Sequence, residues 1–242
     1  MTLRINSATT IKGQTTVGYG PPLTISGLQL WLDASDASTI TIATGVSQWR
    51  DKSGNNNNAT QSIGSAQPTV QTAAQNGLNT IRFTASSSQR FLLTSTITPL
   101  SACTLICVVK RGGPSGANLV EVLGTTTGNY PFVFEWYSDT RFYAVISGRN
   151  TNTPGGYNST AYNCVSCGVT SSASGSFFKL NGSSLTTSQT GFSSTNNFDA
   201  LGYSDGSYAN CEMAEICFYD TLLGASDVAK IETYLKAKWG TP

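Results

Sequence analysis

The sequence predicts an all-β chain, an antiparallel sandwich closed by one C-terminal helix, and three observations carry that expectation. Short runs of β-forming residues recur along the chain, most of them separated by clusters of Gly, Asn, Ser or Pro. No helical stretches alternate with them, as β-α-β crossovers would require. Charged residues make up only 11% of the chain, against about 25% in an ordinary globular protein, and glycine reaches 24 residues, which suits strands joined by polar turns. A length of 242 residues fits one such sandwich, since all-β domains often run to roughly 200–250 residues.

Residues 1–26 read as an N-terminal arm ahead of a domain at 27–242. Scattered apolar residues (Leu3, Ile5, Ile11, Val17 and Tyr19) sit among Thr, Ser and Gly up to Pro21-Pro22. So little apolar surface does not offset an ordering cost of roughly 1–2 kcal/mol per residue. The arm is therefore expected to gain order by lying as an edge strand on its own sandwich or by docking on a neighbouring subunit, and both readings stay open. The domain opens at Leu28, Leu30 and Leu32, which alternate with Gln29 and Trp31 at the period of a strand. Further strands are expected at Thr80–Phe83, Phe91–Thr94, Cys103–Lys110, Leu119–Leu123, Phe132–Trp136 and Phe142–Ile146, then at Tyr162–Val169, Ser176–Leu180, Ala200–Tyr203 and Met213–Tyr219. One helix is expected over Ala225–Trp239. Val228, Ile231 and Leu235 recur at helical spacing, Gly224 serves as N-cap, Asp227 lies in the first turn, and Gly240 stops the helix. It should lie on the sandwich as a clasp.

Charge and composition exclude several functions. With 14 Lys and Arg against 13 Asp and Glu, no long-range field draws the chain to phosphate backbones, and nucleic acid is not an expected partner. No run approaches about 18 apolar residues, and residues 1–10 lack a basic region followed by an apolar one, so neither membrane insertion nor Sec export is expected. The absence of histidine removes the commonest general base, the Ser/His/Asp arrangement and histidine-based metal sites. Six cysteines are read as free thiols filling the core, because a domain this size does not need disulfides. Cys164 and Cys167 have knuckle spacing but no second Cys-x-x-Cys. Cys103 with Cys107, and Cys211 with Cys217, share strand parity. Sequons at Asn58, Asn158 and Asn181 carry little weight without a secretory signal.

Two motif blocks point to a family. The first runs Leu30-Trp31-Leu32-Asp33-Ala34, then Val46-Ser47-Gln48-Trp49-Arg50-Asp51-Lys52-Ser53-Gly54-Asn55 and Ala59-Thr60-Gln61. The second runs Ala214-Glu215-Ile216 through Tyr219-Asp220, then Tyr234-Leu235 and Lys238-Trp239-Gly240. In order and separation they resemble the LamG-like domains of the concanavalin A-like lectin/glucanase superfamily, as found in bacteriophage virion and bacterial surface proteins. Lys179-Leu180-Asn181-Gly182 resembles that family's hairpin before its last strands. The resemblance implies a jelly-roll sandwich. The blocks also make sense as fold determinants: Asp51 to Asn55 supply turn chemistry, while Trp31 and Trp49 can anchor one end of the core.

Catalysis is not expected. Glycosidases on this scaffold need two carboxylates facing one cleft, and Glu212 and Glu215, three apart on a strand, should point to opposite faces. Asp33, Asp36, Asp51 and Asn55 offer oxygen ligands of the kind some LamG-like domains give to structural calcium, but turn capping is the preferred reading. No metal and no cofactor is expected. Tyr137, Tyr157, Tyr203 and Tyr208 are the loop aromatics that would face a glycan in a lectin reading. The resemblance and composition lead to a non-catalytic structural or interaction protein of the virion, assembled in the host cytoplasm: a capsid decoration (cement) protein or a short head or tail fibre. Its expected partners are other virion proteins and copies of itself, with Leu3, Ile5, Ile11, Val17 and Tyr19 as the assembly arm. The alternative is a carbohydrate-binding lectin module on a virion or cell surface, with surface glycans as partner.

Overall fold

Strands form where β-branched and aromatic residues run between turn formers, and their order in the sheets decides which face each side chain reaches. The computed structural model describes residues 21–98, 101–112, 122–126, 132–136, 142–146, 149–152, 161–170, 175–185, 197–204 and 206–242. The strands are β1 (Leu28–Asp33), β2 (Ile40–Ile42), β3 (Val46–Trp49), β4 (Ala59–Thr60), β5 (Thr69–Gln75), β6 (Leu78–Phe83), β7 (Phe91–Ile97), β8 (Ala102–Arg111) and β9 (Phe132–Trp136). They continue with β10 (Phe142–Ile146), β11 (Arg149–Asn152), β12 (Asn163–Thr170), β13 (Phe177–Leu180), β14 (Ser183–Ser184), β15 (Phe198–Leu201), β16 (Tyr203–Ser204), β17 (Ser207–Tyr208) and β18 (Cys211–Tyr219). The helix α1 covers Ala225–Trp239, as its periodicity predicts.

Two antiparallel sheets make the sandwich. The larger has the order β14-β13-β12-β8-β18-β6-β5, with β1 also paired to β18, and the smaller has the order β15-β7-β4-β3-β2. Between them lies one core. The larger sheet contributes Leu30, Ile81, Phe83, Leu105, Val165 and Phe218, and the smaller contributes Val46, Trp49, Phe91 and Phe198. A second apolar layer covers the other face of the larger sheet, where Trp31, Ile106, Val108, Cys217 and Tyr219 meet Val228, Ile231, Leu235 and Trp239 of α1. The larger sheet is thus covered on both faces in its middle, which is why every residue of β18 is buried. Trp49 anchors the sandwich core as expected, whereas Trp31, one place off the parity of Leu30 and Leu32, belongs to the helix layer.

Several expectations shift in detail. Strands β2 to β5 went unread because β2 and β4 span only three and two residues, while β3 and β5 interleave Ser, Thr and Gln with their apolar residues. Of the strand expected at 119–123, only Val122 and Leu123 are described; they are buried outside any strand and lead to Gly124, which bridges Ala200. Residues 1–20, with Leu3, Ile5, Ile11, Val17 and Tyr19, lie outside the described residues. The stretch that follows is attached to the domain: Ile25 is buried in the helix layer, and the Tyr219 hydroxyl donates to the Pro22 carbonyl at 3.2 Å. Among the described residues no helix is long and apolar enough to cross a membrane.

Candidate functional site

The two motif blocks, far apart in sequence, converge on one buried carboxylate. Trp31 and Trp239 donate their indole N–H groups to Glu215 at 2.8 Å each, the Tyr234 hydroxyl donates at 3.0 Å, and the Lys238 ammonium lies 2.6 Å from Oε2. Lys238 also pairs with Asp33 at 2.7 Å, and Lys52 bridges Asp33 and Asp36 at 2.9 Å each. Burial pushes the Glu215 carboxyl above its usual value, and the Asp33 charge adds to this. Burial pushes Asp33 the same way, but Lys238 and Lys52 outweigh it and hold its carboxyl low. This network ties α1 to the larger sheet and to the turn after β3.

The reading of Glu212 and Glu215 as opposite-facing is corrected by a bulge. On β18, Glu212 pairs with Lys110 and Met213 with Val109, yet Glu215 pairs with Val108, so one extra residue sits between them. Both carboxylates therefore project to the helix side of the sheet. The bulge falls where β18 changes partner, from β6 at Cys211–Met213 to β1 at Glu215–Tyr219. It also separates Cys211 from Cys217: the first faces the sandwich core and the second the helix layer, against the shared parity expected of them. Glu212 lies 2.7 Å from Arg82, within 3.4 Å of Lys110, and accepts hydrogen bonds from Tyr162 and Thr80. Burial raises its pKa, but the Tyr162 hydrogen bond, Arg82 and Lys110 outweigh this and leave it below the ordinary range.

The three carboxylates considered for calcium have protein partners. Asp51 accepts from the backbone N–H groups of Trp31, Ser53 and Asn57, Asp36 caps Ser38, and the Asn55 amide donates to the Leu28 carbonyl. Among the described residues no three His, Cys, Asp or Glu side chains converge as a metal-binding group. All six cysteines are free and buried, and burial pushes the Cys164 thiol up to about 12.

The solvent side of the smaller sheet has a different character. Thr41 pairs with Gln48, Gln48 with Thr60 and Thr60 with Leu92, which places these four in one row across β2, β3, β4 and β7. The next row, Ile40, Trp49, Ala59 and Leu93, turns inward, so the Thr41 row faces outward, with Thr41 and Leu92 exposed and Gln48 and Thr60 half-buried. Arg90 immediately precedes β7 on the parity of Leu92. Its guanidinium lies over the Tyr203 ring, 4.5 Å from the centroid, and 5.8 Å from that of Tyr208. The tyrosines face each other across the β16–β17 hairpin with centroids 4.9 Å apart. Thus Tyr203 and Tyr208, two of the four expected glycan-facing aromatics, come together, but half-buried and with a guanidinium over both rings rather than as bare platforms. Tyr137 and Tyr157 lie outside the described residues. Arg90 was missed, although the alternation of Arg90, Leu92 and Thr94 with Phe91 and Leu93 carries the signal. A cleft of about 430 Å³ opens at the seam between the sheets, lined by Ala34, Ile40, Ile42, Thr44 and Val70 among others.

No protein-family model matches this chain, and no curated protein matches it in sequence. Solved structures share its fold. It is similar to a Trypanosoma rangeli sialidase in complex with the inhibitor DANA, with a TM-score of 0.57 and 13% identity over 91% of this chain and 34% of that one. It is similar to the structure that describes cell entry of botulinum neurotoxin type C as dependent upon interaction with two ganglioside molecules, with a TM-score of 0.59 and 12% identity over 89% of this chain and 54% of that one. A third is the binding domain of botulinum neurotoxin DC in complex with SialylT, with a TM-score of 0.58 and 10% identity over the same shares. The chain spans about a third of the sialidase and about half of the toxin chains. At such identities the likeness is one of fold, a β-sandwich of the lectin-like kind.

Proposed function

We propose that this chain is a carbohydrate-binding module that works by binding and not by catalysis. The observation that carries the reading is the outward face of the smaller sheet, where Thr41, Gln48 and Thr60 offer hydroxyl and amide groups beside the Arg90, Tyr203 and Tyr208 cluster. Sugars are recognised by such neutral hydrogen-bonding groups next to aromatic rings. The toxin structures of the same fold, one tied to interaction with two ganglioside molecules and one in complex with SialylT, support the choice. The carboxylates support the absence of catalysis. Glu215 is fully buried among four donors under α1, and Glu212 is ion-paired to Arg82 and Lys110, so neither has a free face toward a cleft.

The motif blocks add a location to this proposal: a virion or cell surface, with LamG-like domains of phage proteins as the model and the arm expected at residues 1–26 as the attachment, shortened to 1–20 because Pro22 and Ile25 contact the domain. Comparing residues 21–242 with the full chain for incorporation into particles tests that part. The binding reading itself is tested by a glycan array probed with the full chain. Retention of a defined set of glycans, without their hydrolysis, is the expected result. An array with no signal above background overturns it, as does turnover of a bound glycan that is lost in Glu212→Gln.

A further inference from the structure

We propose that Arg90, held over Tyr203 and Tyr208, is the specificity-determining group for a carboxylate-bearing saccharide. The proposal rests on the carbohydrate-binding reading and names the ligand class of that site. Among the residues whose side chains are described, every other basic group that reaches solvent already has an acceptor: Lys52, Arg82, Lys110, Lys179, Lys230 and Lys238 are ion-paired, while Arg50 and Lys236 donate to backbone carbonyls. Arg90 is the exception. Its guanidinium makes ring contacts at 4.5 and 5.8 Å, and no carboxylate among the described residues pairs with it.

A guanidinium lying over a ring is held in place while its in-plane N–H donors stay free, and their fork matches the two oxygens of a carboxylate. The backbone is fixed as well, because the Arg90 carbonyl accepts from the Gln61 amide at 3.0 Å, and the Tyr203 hydroxyl accepts from the Gly206 N–H at 3.1 Å. Little ordering entropy then remains to be lost on binding. A free inorganic anion would use Arg90 and nothing else. A saccharide bearing a carboxylate can place the acid on Arg90 and its hydroxyls along Thr60 and Gln48, in the outward row that continues the parity of Arg90. That combination of one cation with neutral hydrogen-bonding groups selects an acidic sugar over both a neutral sugar and a bare anion.

The test is calorimetric titration of the full chain with two matched pairs: sialyllactose against lactose, and oligogalacturonate against its methyl ester. The first member of each pair carries the carboxylate and the second lacks the charge. The chain is expected to bind the charged member of at least one pair roughly tenfold or more tighter than its neutral partner, a preference that weakens with added salt. Arg90→Gln should abolish the preference, Arg90→Lys should keep part of it, and Lys230→Gln, which removes the same charge from the exposed face of α1, should change nothing. A melt of each variant checks folding; should Arg90→Gln not fold, the acid-against-ester comparison on the unaltered chain decides. Equal affinity for charged and neutral probes overturns the role of Arg90 while leaving carbohydrate binding standing, and so does a preference that survives in Arg90→Gln. Failure of every glycan on the array overturns the carbohydrate reading and this proposal with it.

Discussion

Glu215 shows how much a single buried charge can organise. Two indole N–H groups, a tyrosine hydroxyl and an ammonium all donate to its two oxygens. Glu215→Gln replaces one acceptor oxygen with an NH2 group that faces donors it cannot satisfy. It should lower stability by about 3 kcal/mol, the scale of breaking a buried charge pair, read as a shift in the denaturant midpoint. A loss below about 0.5 kcal/mol would show that the network is incidental. Glu212 makes a prediction about pH. Its folded pKa lies below the ordinary 4.5, so as pH falls through that range the unfolded chain takes up the proton first and stability is lost until the folded pKa is passed. Melting temperatures measured from about pH 7 to pH 3 should fall less steeply for Glu212→Gln than for the unaltered chain, with the two curves converging in acid. Parallel curves would remove Glu212 from the account. Trp31, Asp33, Lys52, Tyr234, Lys238 and Trp239 all stand in the motif blocks, yet nothing in the sequence says that they meet. Their meeting depends on tertiary pairing, and the shared face of Glu212 and Glu215 depends on a bulge that strict alternation hides.

At the scale of elements, what could be read was what has a strong local period. The helix follows from Val228, Ile231 and Leu235 with Gly240 as its stop, and Gly240 does take the left-handed conformation, at φ 62°, with its N–H donating to the Lys236 carbonyl at 2.8 Å. The last turn is further tied down by Gln75 and Asn76, whose amides donate to the carbonyls of Trp239 and Lys238 at 2.6 and 2.8 Å. Gly240→Ala places a Cβ in a positive-φ conformation and 3.3 Å from Asn76. It should cost about 1 kcal/mol, visible as a melting shift of a few degrees with unchanged helical circular dichroism. A neutral effect would mean that the stop is not set by the glycine. The hairpin expected at Asn181-Gly182 is likewise present, with φ 51° and 86° at the two residues, the conformation that Asn-Gly favours. Strands β2 to β5 gave no comparable signal, because β2 to β4 are two to four residues long and β5 carries Thr and Gln at four of its seven positions.

For the whole molecule, the sequence carried the sandwich and its clasp, but the helix layer and the face of the smaller sheet emerged only with the topology. Three layers leave the thiols buried on both sides of the larger sheet. All six should resist alkylation in the folded chain and react together on unfolding, as intact mass would show; early modification of Cys164 or Cys217 would mean that the helix layer opens. In the proposed division of labour, carboxylates on the helix side of the larger sheet hold the fold, while the outward row of β2, β3, β4 and β7 takes the ligand. That division is the central claim. It is tested most directly by recording amide chemical shifts of the labelled chain while titrating in the glycan that gives the strongest array signal. Shifts concentrated at Thr41, Gln48, Thr60, Leu92, Arg90, Tyr203 and Tyr208 are the predicted result. Shifts concentrated instead around Glu212 and Glu215, or at the seam lined by Ile42 and Val70, would contradict it.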